Sequence, residues 1–331
     1  MNILMLGSPN IGKTTYLGAM YNELGRKGLN GFKIKTSLNN DLIINNIWRD
    51  FLTSGKSPAI STQLDKYEFD LKYNDDQIID MNLLCLPGQI WVDEIYSEKP
   101  NYFDSIENID GIIYFIDSDS MTLFDADSEV LDKQKKYLYR FILERTQKLV
   151  KPFPFVIVFN KFDLVNDEQK DLFKDRVTEF TAPFRELIRN NNLIRGTSIT
   201  VSSLWKNQNS PKTGLIQNEI VNKQSKLPIV HNVCLPIFYL AFIGVEFAIE
   251  NADKLVWQQI LALINYLDQF SIKNELKRVV MRKEGDISKI KAMLKDVYEQ
   301  KDVIHKKKDL SYLLLQEIKY LSDLSINANI F

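Results

Sequence analysis

With 331 residues, 45% of them hydrophobic and 26% charged, the chain has the composition of an ordinary globular protein, with room for one large domain plus an appendage or for two modest domains. Its 42 lysines and arginines nearly balance 43 aspartates and glutamates, so no global field steers it toward nucleic acid or acidic lipid, and no nucleic-acid partner is expected. Two cysteines, two histidines and no His/Cys cluster at ligand spacing speak against a protein-held zinc or histidine-based catalysis. With no signal peptide ahead of the first strand, they point to a reducing, cytoplasmic setting.

In chain order, the apolar run Ile3 to Leu6 leads through Gly7-Ser8-Pro9-Asn10-Ile11-Gly12-Lys13-Thr14 into a segment with helical spacing, Tyr16, Leu17, Met20, Tyr21 and Leu24. Gly-x-x-x-x-Gly-Lys-Ser/Thr between a strand and a helix is a phosphate loop. Its glycines let the backbone wrap a phosphate chain, and successive N–H groups point inward at the positive end of the following helix. The candidate nucleotide-binding residues are therefore Gly7, Pro9, Asn10, Ile11, Gly12, Lys13, Thr14 and Thr15. Lys13 reaches the terminal phosphates, and the Thr14 hydroxyl is a candidate ligand of a magnesium ion.

A turn over 27–31 leads to a short extended piece, Phe32 to Thr36, then to an amphipathic helix over 39–53 marked by Leu42, Ile43, Ile47, Trp48 and Phe51. Alternation of Tyr67, Phe69, Leu71 and Tyr73 with Glu68, Asp70 and Lys72 predicts a half-exposed strand. The turn Asn74-Asp75-Asp76 returns the chain as a second strand, Ile78 to Leu86, so the pair is an antiparallel hairpin. Gly111 to Asp117 and Phe155 to Phe159 read as strands covered on both faces, with helices over about 125–149 and 167–190 and a further strand Thr197 to Val201. This alternation predicts an α/β fold: a doubly wound, mainly parallel phosphate-loop sheet with one antiparallel hairpin strand, followed by a C-terminal helical region. Ligands in such sheets bind at the carboxyl ends of the strands, which brings the loops after Leu84, Phe159 and Val201 beside the phosphate loop.

The segment 205–228 is polar and reads as an insertion. Val233 to Ala248 is the most apolar run. It is short for a membrane span and contains Pro236 and Glu246, so a buried helix is expected and no transmembrane segment. The division predicted is a nucleotide-binding domain over 1–250 and a helical interaction region over 251–331. Within the latter, Trp257, Ile260, Leu261 and Ile264 form a packing stripe. Residues 273–309 are basic, including Lys306-Lys307-Lys308, and form a solvated face or a docking surface.

Asn160-Lys161-Phe162-Asp163 follows the strand Phe155 to Phe159 directly. An aspartate there accepts two hydrogens from the edge of guanine, a donor pair that adenine lacks, so Asp163 predicts guanosine nucleotides. The Lys161 stem covers the base, and the Asn160 amide ties loops together.

On these residues the chain resembles a Ras-like GTPase of the translation-factor-related class, and in particular bacterial small-GTPase-like, double-GTPase-type domains of multi-gene conflict or signalling systems. The resemblance spans about residues 1–250. It implies GTP or GDP with Mg2+ as cofactors. It also implies that Ser202, Ser203 and Leu204 touch the base, that Asp110-Gly111 to Asp117-Ser118 is the family's fourth strand, and that Asn232-Val233 starts the last helix of the domain. Cys85-Leu86-Pro87-Gly88-Gln89 stands where the family has Asp-x-x-Gly-Gln. Gly88 then offers its N–H to the γ-phosphate and Gln89 orients the attacking water, which with Lys13 makes the candidate catalytic pair. Cys85 replaces the aspartate of the magnesium site, and a neutral thiol supplies no such charge. Asp80, five residues earlier and on the opposite strand face, is a poor substitute. Thr62 is the candidate switch threonine and second magnesium ligand, with Ser61 and Thr53 as rivals. The implied activity is a GTP-binding switch with slow or partner-dependent hydrolysis, and the alternative is a non-hydrolysing pseudo-GTPase scaffold. The expected partner is a protein effector or regulator at loops 53–64 and 87–100 and at the C-terminal helices, with homo- or hetero-oligomers both open.

Overall fold

The computed structural model describes residues 1–54, 62–97, 106, 108–122, 128–147, 151–205, 229–270, 295 and 302–319. A seven-stranded sheet runs in the order β2-β3-β4-β1-β5-β6-β7. Strands β1 (Asn2–Leu6), β4 (Asp76–Cys85), β5 (Gly111–Asp117), β6 (Phe153–Asn160) and β7 (Ile194–Thr200) are mutually parallel, while β3 (Asp65–Tyr73) is antiparallel to β4 and to the short β2 (Phe32–Lys35). The single antiparallel strand is the one that the alternation of Tyr67, Phe69 and Leu71 marks.

The central strand shows why the sheet is covered twice. Ile3 and Met5 join an apolar cluster on one face and Leu4 and Leu6 another on the opposite face, all fully buried. The first face is covered by α1 (Lys13–Tyr21), α2 (Leu38–Ser54), α6 (Leu235–Phe270) and a last helix, α7, over 302–319. The second is covered by α3 (Gly88–Tyr96), α4 (Ser128–Gln147) and α5 (Lys170–Asn190). This is the doubly wound arrangement, and it places the carboxyl ends of β1, β4, β5 and β6 along one rim.

Several elements differ from the sequence reading. In α2 the inward stripe is Ile44, Trp48 and Phe51, whereas Leu42 and Ile43 are exposed. The stripe i, i+4, i+7 fits one helix face, and Leu42 lies off it. A wide helical turn, Asn22–Lys27, prolongs α1 up to Gly28. The segments flanking the polar insertion pair: β8 (Ser202–Trp205) runs antiparallel to β9 (Ile229–His231), a ribbon the sequence reading did not include. The last helix of the domain begins at Leu235 rather than at Val233, after Asn232 in a left-handed conformation. The body of the insertion, the basic segment up to 294 and the side chains of the Trp257–Ile264 stripe lie outside the described residues.

Among the described residues one helix, Leu235–Lys254, is long and apolar enough to cross a membrane, with mean hydropathy 1.4. In the fold, however, Leu235, Ile237, Phe238, Leu240, Ala241 and Val245 are buried against the sheet. Helix α7 lies on the same face. Ile304, Leu314 and Ile318 enter the core cluster of the sheet, the last two one helical turn apart. Glu317 accepts from the Asn30 amide at 2.9 Å, and Lys306 pairs with Asp76 at 2.8 Å. Part of the lysine run therefore sits over the chain's own hairpin turn and α6, where Lys308 lies 3.5 Å from Asp253. Leu314 is fully buried. Leu314→Ala should cost about 2–5 kcal/mol in denaturant unfolding of the full chain, because the cavity it leaves is walled by sheet and helix. A change within error would mean that α7 does not belong to the core.

Candidate nucleotide-binding site

The loop between β1 and α1 is organised from within. Asn10 and Gly12 have positive φ (60° and 92°), and a Cβ on Gly12 would stand 2.6 Å from the Asn160 amide nitrogen. Only glycine combines that conformation with that approach. Lys13 is buried, and its ammonium donates to the carbonyls of Gly7 at 2.5 Å and Ser8 at 3.2 Å, holding the charge across the mouth of the loop. Burial lowers its pKa to about 8, with the facing Cys85 pulling weakly the other way. Thr14 and Thr15 follow in the first turn of α1, both half-buried.

Two side chains to which sequence reasoning gave no role brace the loops of the site, Gln134 the phosphate loop and Asp117 the loop after β6. Gln134 of α4, itself buried, donates to the Ser8 hydroxyl at 3.1 Å and accepts from Tyr114 at 2.7 Å. Asp117, at the end of β5, pairs with Lys161 at 2.5 Å. The position of Asp117 at a carboxyl strand end is a signal that could have flagged it. A glutamine in the middle of an amphipathic helix gives none.

The loop after β6 meets the phosphate loop directly. Asn160 is buried, donates to the Ile11 carbonyl at 2.8 Å and accepts from Ser203 at 3.3 Å, so one amide joins three loops. Lys161 adopts a left-handed conformation, φ 58°, which turns the chain so that Asp163 faces β8, where its carboxylate accepts from the Ser202 hydroxyl. Gly7, Pro9–Thr15, Asn160, Lys161, Asp163, Ser202 and Ser203 thus share one rim. Leu204 is in β8, with its side chain outside the described residues.

The loop after β4 closes the rim. A Cβ on Gly88 would stand 2.6 Å from Pro9 Cα and from the Ser8 carbonyl carbon, so the start of α3 rests on the phosphate loop. Helix α3 is held there by Trp91, fully buried between Tyr114 and Tyr137 with ring centroids 5.3 and 5.4 Å away. Gln89 is exposed, and its amide donates to Asp93 at 2.7 Å, one turn along α3. Gly88→Ala should destabilise the fold by about 1–3 kcal/mol, since backbone opposes the new methyl and one of the two loops must move. Chemical denaturation measures it, and an unchanged midpoint would show that the two loops do not touch.

Cys85 ends β4 on the α1 side of the sheet, 5% exposed. Burial pushes its thiol up to about 11, with the Lys13 ammonium opposing and the Asp65 carboxylate adding to the shift. It is a neutral, soft group. Thr62 is exposed, three residues before β3. Its rival Thr53 is spoken for: it lies in α2 and donates to the Arg49 carbonyl at 3.0 Å. Ser61 lies outside the described residues.

These residues fit a nucleoside triphosphate, because the loop has room only for backbone and offers N–H groups and one ammonium around its mouth. For a hard cation, the Thr14 hydroxyl fits and the Cys85 thiol does not.

Sheet order, phosphate loop and the loops meeting it define a doubly wound phosphate-loop fold. Residues 4–156 match the family model Double-GTPase 1, so that stretch is similar to a double-GTPase domain. No curated protein matches the chain. Among solved structures it is similar to the SRb-GTP/SRX complex of the signal recognition particle receptor from Chaetomium thermophilum, at 18% identity and TM-score 0.36, over 62% of this chain and 92% of that one. It is also similar to the Ski7 GTPase-like domain of S. cerevisiae bound to GDP and inorganic phosphate, at 17% identity and TM-score 0.38, over 61% of this chain and 43% of that one. A bacterial selenocysteine-specific elongation factor, EF-Sec, gives 14% identity and TM-score 0.32, over 61% and 25%. The chain thus spans under half the length of the last two. The family match ends before Asn160, so the choice of base rests on this chain's own loops.

Proposed function

We propose that the protein is a guanine-nucleotide switch whose hydrolysis of GTP to GDP is slow or depends on a protein partner. The observation that supports this reading best is the buried Asn160 amide, which links the Asn160–Asp163 loop to the phosphate loop through the Ile11 carbonyl and to the Ser203 loop. A base held by Asp163 is thereby fixed at a set distance from phosphates held by Lys13 and the loop amides. The apolar stem of Lys161, steadied by Asp117, covers the base on one side. Thr14, with Thr62 as the second candidate, would hold a magnesium ion, which would supply positive charge beside the terminal phosphate oxygens. Gly88 rests on the phosphate loop from the α3 side, where its N–H would be offered to the γ-phosphate, and the partner would read loops 53–64 and 87–100.

A second reading, a pseudo-GTPase that keeps its nucleotide as a structural cofactor, is supported by two observations. Cys85 supplies no charge, and Gln89 is engaged with Asp93 rather than with the loop. One experiment tests both: identify the nucleotide retained through purification, then follow single-turnover hydrolysis with magnesium. A bound adenine nucleotide overturns the guanine assignment. GTP that persists for hours without a partner favours the pseudo-GTPase, and steady conversion to GDP favours the switch.

A further inference from the structure

The third loop of the site lacks its carboxylate at residue 85, but the neighbouring strand carries one in the same row. Register places Asp65 directly opposite Cys85 across the β3–β4 ladder, and Cys85 opposite Met5 of β1, two residues before Gly7. Directly opposed residues of an antiparallel pair point to the same face, with Cβ atoms about 4.5–5.5 Å apart. That face is the α1 side: Tyr67, Phe69 and Leu71 follow Asp65 with the strand period and are buried there, as are Met81, Leu83 and Cys85. Lys13 and Thr14 open the helix on that face. Asp65 is half-buried and has no side-chain hydrogen bond or ion pair to any described residue, unlike Asp117 and Asp163 around the same rim. Asp80 lies on the exposed face and bonds Gln77.

We propose that Asp65 takes over the magnesium-holding charge that Cys85 lacks, so that the divalent ion is held between Thr14 and a carboxylate from β3 instead of β4. The inference rests on the nucleotide-binding reading above. Three features carry it: the carboxylate is one strand over, on the correct face and at the correct end of the sheet. The electrostatics agree in direction, because the Cys85 thiol is under the influence of the Lys13 ammonium and the Asp65 carboxylate together. The position is also where a charge is otherwise hard to explain. Half-buried and without a side-chain partner among the described residues, the Asp65 carboxylate heads a strand whose following inward residues are Tyr, Phe and Leu, and a bound cation would give it a partner.

The test uses a fluorescent guanosine diphosphate and the full chain, with affinity measured in excess Mg2+ and in excess chelator. In the wild type, Mg2+ should tighten binding. Asp65→Asn should reduce that tightening by about 10- to 100-fold, as expected when a group that orients a metal's ligands or waters is lost, while affinity in chelator stays as in the wild type. The double variant Cys85→Asp/Asp65→Asn, which returns the charge to β4, should restore the tightening. Mn2+ in place of Mg2+, followed by paramagnetic resonance of the bound ion, gives a readout independent of turnover. If Asp65→Asn fails to fold, Asp65→Ser carries the same expectation. Tightening unchanged in Asp65→Asn, or no tightening by Mg2+ in the wild type, overturns the assignment of Asp65. Failure of the wild type to bind the guanosine probe at all overturns the function reading instead, and the two outcomes are distinct.

Discussion

Asp163→Asn should exchange guanosine for xanthosine nucleotides as the preferred ligand. The carboxylate would accept two hydrogens from the guanine edge, and hydrogen bonds to a charged group contribute about 1.5–3 kcal/mol each. Losing both corresponds to roughly 10²–10⁴-fold in GTP affinity. Xanthine carries a carbonyl where guanine has its amine, and an asparagine amide can donate to it, so XTP should gain where GTP loses. The fold should tolerate the change, because the oxygen of the new amide can still accept from Ser202, the hydrogen bond that the aspartate makes now. Competition binding of the two triphosphates to wild type and variant measures the swap. GTP affinity unchanged in the variant would show that Asp163 does not face the base.

Lys13→Met should move binding and stability in opposite directions. Without the ammonium at the loop mouth, nucleotide affinity should fall by about 10²-fold or more, since charge-assisted contacts to phosphate are lost. Without nucleotide, the variant should be the more stable protein at pH 7. The Lys13 pKa is lowered from 10.5 to about 8 by burial. A lowered lysine pKa means that the folded state disfavours the charged form, so the cost is present in full below pH 8 and is relieved as pH rises from 8 toward 10.5. A shift of that size is worth about 3 kcal/mol. The bonds to the Gly7 and Ser8 carbonyls, lost in the variant, reduce the expected gain to about 1–2 kcal/mol. Unfolding midpoints from about pH 7 to 9.5 should show the wild type closing the gap. A gap that widens with pH would contradict the buried charge.

The hairpin was legible because a period of two is unambiguous when one face is buried, and Tyr67, Phe69 and Leu71 are indeed its inner face. The phosphate loop and Asn160–Asp163 were legible because glycine, lysine and aspartate at fixed offsets from a strand carry their geometry with them. In α2, by contrast, Leu42 and Ile43 are as apolar as Ile44, and only the neighbouring sheet decides which of them is covered. The β8–β9 ribbon joins segments on either side of a long polar stretch, so no local pattern announces it. Helix α7 gives a clear apolar stripe, but the stripe does not say that its partner is the sheet of the nucleotide-binding domain.

Residue 85 shows the division most sharply. The sequence by itself determined that a phosphate loop opens a doubly wound sheet, that Asn160–Asp163 follows a buried strand, and that a cysteine stands at residue 85. Counting back from the turn at Asn74-Asp75 would place Asp65 opposite Leu84, which belongs to the other face of the sheet. A bulge next to Leu71, where Ile78 is skipped, advances the register by one and sets Asp65 opposite Cys85. Such a bulge has no dependable signature in the residues around it, because one extra residue in a strand is settled by how the whole ladder twists and packs. Which carboxylate stands beside the phosphate loop was therefore decided by the tertiary structure alone.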